Sequence, residues 1–287
     1  MPPHLELPPD SLQTPHDPDV TYGYKGQGYK AQVAETCAKE NPYQVITHVD
    51  VEPANSADQS ATLPVVKKLE QNGMKPEVLF ADTAYSSGEN LVDALARGVT
   101  LHAPVQGGKP LDVEDPWREG RSQEAETTDA LGLADFTFNR DFTRVLTCPA
   151  GKRPADQQLG TGKGTRRRKS RKITFAKEDC DTCPLADRCP THRFKPGHRT
   201  LRTKPAKAAT AHRQRQQATP EFRQEYRIRA GIESTNSELK SRHGARKLRV
   251  RRKPRVRLAM FLKTTAANVK RCIQHHVVVL AAEPTPA

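Results

Sequence analysis

Glu233 lies in the stretch EYRIRAGIESTNSELK, residues 225–240, with Tyr226 and Arg229 before it and Lys240 after it. On one continuous helix, at about 100° per residue, these four fall within an arc of roughly 60°. Ile228, Ile232 and Leu239 form a separate apolar stripe beside them. A carboxylate in that company can bind a divalent cation while the Arg229 guanidinium grips a phosphate through two donors. Tyr226 can contact a phosphate or stack on a base, and Lys240 adds a point charge. The same spacing also suits i,i+4 salt bridging on a solvated helix, at about 0.3–0.5 kcal/mol per pair, and spacing alone leaves both readings open. Asp82 offers a second carboxylate at the end of the apolar run EVLFAD, where α/β proteins commonly place chemistry; a turn or N-cap aspartate is the alternative.

Four of the six cysteines, Cys148, Cys180, Cys183 and Cys189, are spaced C-x31-C-x2-C-x5-C. Thiolates in such a set suit a tetrahedral structural zinc ion, as a small knuckle presenting basic sequence to DNA. Four reduced thiols beside turn-forming Pro149 and Pro184 are the alternative. Cys37 and Cys272 stand apart and read as packing residues. The segment GTGKGT fails as a phosphate loop, because Gly164 follows Lys163 where Ser or Thr is required, so no nucleotide cofactor is expected.

The net charge of +14 hides an asymmetry. Residues 1–147 carry 12 Lys and Arg against 23 Asp and Glu, a net of −11, whereas residues 148–287 carry 35 against 10, a net of +25. A basic half of this strength points to a polyanion, most simply nucleic acid. Within it, Arg166, Arg167 and Arg168 in GTRRRKSRK read as sequence-independent phosphate contacts. No signal peptide is visible and the apolar run HHVVVLAA is too short to span a bilayer, so a cytoplasmic protein without membrane association is expected.

The elements that must position these groups follow from periodicity. GYKAQVAETC and YQVITHVDVEP read as strands, TLPVVKKLEQNG as a helix closed by Gly73, EVLFAD as a short buried strand, SGENLVDALARGV as a helix stopped by Gly98, and TLHAPV as a further strand. This order argues for an α/β layer. FTFNRDFTRVLTCPAG reads as a hairpin leading to Cys148. AKAATAHRQRQQ reads as a helix, TPEFRQEYRIRAGIESTNSELKSRH as a second with Thr219 as N-cap and Pro220 at its first position, and LAMFLKTTAANVKRCIQHH as a last one. The resulting organisation is a disordered Pro-rich leader over 1–20, a core over 21–106, a cysteine-bearing insertion over 107–204, basic helices over 205–276 and a tail over 277–287.

The spacing Y-x2-R-x3-E-x6-K, as Tyr226, Arg229, Glu233 and Lys240, resembles the signature of bacterial insertion-sequence DDE transposases of the IS-four-like superfamily. GYKAQVA is similar to a GYNxQ segment of that family. The stretch NSADQSATLPVVKKLEQNG with EVLFADTAYSSGEN is similar to the region around its second catalytic aspartate. CPAGK, CDTCPLADRC and the ending AANVKRCIQ resemble its cysteine-containing branch. The resemblance runs from about Asp17 to Cys272.

The resemblance implies a ribonuclease-H-like (DDE integrase) core in which two aspartates and a glutamate bind magnesium or manganese for in-line phosphoryl displacement on DNA. Asp82 matches the second carboxylate and Glu233 the third, with Tyr226, Arg229 and Lys240 on DNA phosphates. Transposon ends and target DNA would be the partners of a homo-oligomer. The family's first aspartate lies on an opening strand upstream of GYNxQ, and no segment here matches it. Asp50 and Asp58 are substitutes outside that context. The expectation is therefore an α/β core lacking its first strand: a truncated copy with impaired catalysis, or else a catalytically inactive DNA-binding remnant.

Overall fold

The computed structural model describes residues 14–24, 26–107, 131–159, 170–193 and 197–282. Its first elements are β1 (Thr21–Gly23), β2 (Gly26–Glu35), β3 (Ile46–Pro53), α1 (Thr62–Gln71), β4 (Val78–Phe80), α2 (Gly88–Ala96) and β5 (Thr100–His102). Next come β6 (Thr137–Phe138), β7 (Val145–Thr147), β8 (Asp156–Leu159), β9 (Arg171–Phe175), α3 (Lys177–Asp181), β10 (His192–Arg193) and β11 (Arg199–Thr203). Four helices complete the chain: α4 (Pro205–Gln216), α5 (Pro220–Tyr226), α6 (Ala230–Ser241) and α7 (Lys253–Ala282). They divide into two compact units, one of Met1–Pro76 with Arg227–Ala287 and one of Glu77–Tyr226.

In the first unit, β1, β2 and β3 form an antiparallel sheet in that order. Alternation along β3 turns Val51 inward against Val256 and Met260 of α7. Ile46 packs with Leu239 of α6 and Ala267 of α7. Asn268 on α7 accepts from the Ile46 N–H at 2.8 Å and donates to the Ile46 carbonyl at 2.9 Å, so one amide side chain satisfies both backbone groups of a strand residue.

The tightest fastening in this unit surrounds Arg271 of α7. Its Nη1 donates to Glu35 Oε2 at 3.2 Å and to the Gln44 carbonyl at 3.0 Å. Its Nη2 donates to Thr235 Oγ1 at 2.6 Å and to Glu238 Oε2 at 3.2 Å. The Thr235 hydroxyl in turn donates to Glu35 at 2.5 Å, and Lys270 to Glu238 at 2.7 Å. Helix α6 is thereby tied to both β2 and α7.

In the second unit, β4 and β5 pair in parallel around α2. The serine and glycine punctuation predicts α2: Ser87 Oγ accepts from Asn90 N at 3.1 Å, and Gly98 takes φ +73 just past the end. Gly88 lets α2 meet α4, since a Cβ there would lie 2.1 Å from the Ala206 carbonyl oxygen. The strand expected to be buried at EVLFAD is not: Val78 is 41% exposed, as only β5 lies alongside β4 among the described residues. A four-stranded antiparallel sheet, in the order β10-β11-β9-β8, covers a core of Phe136, Val145, Ile173, Phe175 and Leu201.

Candidate active site

The helix expected to run unbroken through Tyr226 and Glu233 is interrupted. Helix α5 ends at Tyr226, Arg227–Arg229 form a single 3-10 turn, and α6 begins at Ala230. β-Branched Ile228 sits within this turn, and such residues are weaker helix formers than Ala or Leu. Tyr226 stacks on Phe222 (centroids 5.9 Å apart), which stacks on His102 at 4.1 Å. Its hydroxyl donates to the Ala81 carbonyl at 3.2 Å, beside Asp82. Burial lowers the pKa of His102, which keeps the stacked imidazole neutral. The Thr219 N-cap is present, its Oγ1 accepting from Phe222 N at 3.3 Å.

Asp82 stands exposed just beyond β4, its Oδ1 accepting from Thr83 N at 2.6 Å as the N-cap of a 3-10 turn. The turn role and an outward carboxylate coexist. On α6, Glu233 is 63% exposed and accepts from Arg229 Nη1 at 2.9 Å, so the i,i+4 salt bridge is formed. Glu233 and Lys240 also line one cleft of about 400 Å³ with Asn236, Ser237, Ser241 and Arg246. Asn236 and Ser237 escaped the sequence reading although they follow Glu233 at i+3 and i+4. Arg246 lies past the end of α6, where helical spacing gives no signal.

Neither substitute for a first aspartate presents an uncommitted carboxylate. Asp50 accepts from Arg257 Nε at 3.1 Å and from Val51 N at 2.8 Å. Asp58 pairs with Lys30 Nζ at 2.8 Å. In the second unit, Arg202, Lys204 and Lys207 line a groove of about 480 Å³ together with Ser170, Thr210 and Glu89. Arg166, Arg167 and Arg168 lie outside the described residues.

Cys148, Cys180, Cys183 and Cys189 line one small cavity of about 20 Å³, with Arg199 and Asp179 at its wall. Two tight turns carry three of them: Gly151 N donates to the Cys148 carbonyl at 2.8 Å, and Cys183 N to the Cys180 carbonyl at 3.4 Å. Burial raises the Cys180 thiol pKa; Arg199 opposes the rise and the other three thiols add to it. All four are free thiols, and among the described residues no three His, Cys, Asp or Glu side chains are gathered as a metal cluster.

Residues 147–273 match the family model of the transposase DDE domain. The match covers just under half of the chain and spans the four cysteines, Tyr226, Arg229, Glu233 and Lys240; Asp82 lies outside it. The matched stretch is similar to transposase DDE domains, which suggests a transposase function. Domains of this family generally use divalent metal ions. No curated protein and no solved structure matches the chain. No helix among the described residues is long and apolar enough to cross a membrane.

Proposed function

We propose that the chain is a DDE-class DNA transposase of a bacterial insertion sequence, with transposon ends and target DNA as its substrates. The observation that carries this reading is the α6 cleft inside the matched stretch, where Glu233 shares a wall with Lys240, Asn236, Ser237 and Arg246. Asp82 and Glu233 are the carboxylates we assign to magnesium or manganese, each an outward-facing oxygen donor of the kind a hard, partly hydrated cation takes. Such ions, when bound, polarise a phosphate and lower the pKa of an attacking water or 3′ hydroxyl. Lys240 and Arg246 hold phosphate oxygens beside Glu233, Asn236 and Ser237 supply neutral hydrogen bonds, and Arg229 orients the Glu233 carboxylate. Tyr226 steadies the strand end that carries Asp82. The antiparallel β2–β3 pair within the first unit and the parallel β4–α2–β5 unit within the second are each of a kind found in ribonuclease-H-like cores.

Asp50 and Asp58 are engaged by Arg257 and Lys30 and we assign no third carboxylate to the metals, so we read the chain as one that holds DNA with weak or absent strand cleavage of its own. The purified chain should bind duplex DNA carrying the element's ends, with affinity falling steeply as salt rises, and leave it uncut in magnesium. Cleavage that disappears in Glu233→Gln would overturn the impaired-activity reading while upholding the transposase one. Failure to bind DNA would overturn both. We further assign Cys148, Cys180, Cys183 and Cys189 to a structural zinc ion, on the grounds that all four line one small cavity; binding would draw the thiols closer together than they stand here. Protein purified without chelator should carry about one zinc per chain; none would refute that assignment.

A further inference from the structure

The hairpin of β1 and β2 opens with TYGYKGQGYK, and the fold uses one of its three tyrosines. Tyr29 packs beside Val51, Val256 and Met260, and its hydroxyl donates to Asp17 Oδ1 at 2.5 Å. Tyr22 is 64% exposed, and Tyr24 stands wholly in solvent at the tip, where Gly23 pairs with Gly26. Neither has a hydrogen-bond or ring partner among the described residues. The support beneath them is anchored. Gly23 sits so close to Ala54 that a Cβ would lie 2.4 Å from its carbonyl oxygen, and Asn55 N donates to Thr21 Oγ1 at 3.3 Å. Two open aromatic faces are thus held within three residues of one another.

A cationic ribbon ends at the foot of the same hairpin, in the same unit. Residues 242–252 join α6 to α7 and contain no Asp or Glu. Ala245 and Leu248 pack inward against the Val51 cluster. Arg246, Lys247, Arg249, Arg251 and Arg252 are exposed, and none forms an ion pair among the described residues. At one end Arg246 lines the α6 cleft with Glu233. At the other, Asp17 Oδ1 accepts from Arg252 N and Asp19 Oδ2 from Lys253 N, both at 3.0 Å, just before β1 begins. Tyr29 shares that Asp17 oxygen, so ribbon and hairpin are pinned together.

We propose that an unpaired DNA strand runs from the α6 cleft along this ribbon and stacks its bases on Tyr22 and Tyr24. Exposed arginines hold phosphates whatever the sequence, and a phenol ring accepts any base, since every base has an aromatic face. The bases concerned are unpaired ones. Inside a duplex both faces of a base are covered by its neighbours, whereas in a single-stranded end they are open to a side chain. An acidic peptide would meet the cations and leave the two rings unused. This assignment rests on the DNA transposase reading and adds to it a strand-selective site outside α6.

Fluorescence anisotropy of the full chain tests it, on a blunt duplex and on the same duplex with a single-stranded overhang of about six nucleotides at the 3′ or the 5′ end. The better overhang should bind about 25-fold tighter than the blunt duplex, from ~5-fold per stacked base. Tyr22→Ala with Tyr24→Ala should erase that difference. Tyr22→Phe with Tyr24→Phe should keep it, because stacking uses the ring and not the hydroxyl. Equal affinity for blunt and overhung DNA, or a preference that survives the alanine pair, overturns the proposal while the transposase reading stands. A chain that binds neither DNA overturns both. Iododeoxyuridine in the overhang should photocrosslink to Tyr22 or Tyr24, and crosslinks found only elsewhere reject the hairpin as the site. Arg249→Ala with Arg251→Ala should reduce the salt slope of binding by roughly 1.5, and an unchanged slope removes the ribbon from the path.

Discussion

Replacing Arg271 by Met should cost the first unit more than any surface charge change, and the structure sets the size of the loss. The guanidinium makes four hydrogen bonds, to Glu35, the Gln44 carbonyl, Thr235 and Glu238. Its removal is felt unequally. Glu238 keeps Lys270 at 2.7 Å, but Glu35, with a side chain only 6% exposed, keeps just the Thr235 hydroxyl. Stranding a buried carboxylate in this way typically costs about 3–5 kcal/mol, and the surviving hydroxyl places the expectation near ~3 kcal/mol. For a unit of this size that lowers a urea midpoint by roughly 2 M. A second substitution, Glu35→Gln, should recover ~1–2 kcal/mol of the loss, because it removes the charge that Arg271→Met strands. Urea unfolding of the full chain followed by circular dichroism, on both single variants and the double, closes the cycle. A loss below ~1 kcal/mol for Arg271→Met, or simple additivity in the double variant, would refute the claim that this network fastens α6 to β2 and α7.

Other outcomes follow from contacts elsewhere in the chain. Gly88→Ala should destabilise the second unit by about 2 kcal/mol despite the better helix propensity of Ala, since the new methyl meets the Ala206 carbonyl; a thermal melt showing stabilisation would contradict it. Asn268→Leu should cost about 2 kcal/mol by leaving both Ile46 backbone groups unpaired, read as a urea-midpoint shift. The Lys270 and Arg271 hydrogen bonds hold the Glu238 carboxyl below its ordinary value of 4.5, so their stabilisation is present above pH 4.5 and lost as pH falls through the lowered folded value. Lys270→Gln should flatten that acid limb in midpoints measured from pH 6 to pH 3. Burial depresses His102 and His212 below 6.5, so the unfolded second unit binds more protons and its stability should already decline as pH drops under 6.5.

Much of the local structure is legible from the chain. Gly73 and Gly98, at φ +71 and +73, follow α1 and α2 as helix-stop glycines, and the alternation in VITHVDVEP gives β3 its inward Val51. The sheet beneath the cysteines was hidden. Its strands read RKITF and RTLRT, where Ile173, Phe175 and Leu201 turn inward while Arg, Lys and Thr occupy the other positions. Too few apolar residues mark the period of two, and the cationic face reads as a continuation of the basic run before it.

The candidate site divides along the same line. Residue type revealed which groups can do chemistry, since a carboxylate among cations is informative wherever it stands. Placement came from partners remote in sequence: Arg271 reaches Glu35 across 236 positions, and Tyr226 reaches Ala81 across 145. No periodicity encodes such pairs. The 3-10 turn at Arg227–Arg229 is a case in point, because a continuous helix is the better local reading of EYRIRAGIESTNSELK. Tyr226 is claimed by the aromatic stack with Phe222 and by the strand leading to Asp82, while Glu233 is claimed by a helix that Thr235 and Glu238 pin to Arg271. The arc over Tyr226, Arg229, Glu233 and Lys240 is thus crossed by a 3-10 turn between its first and third members. What survives of it on α6 is the 233–240 segment, with Asn236 and Ser237 filling the face between the carboxylate and the ammonium.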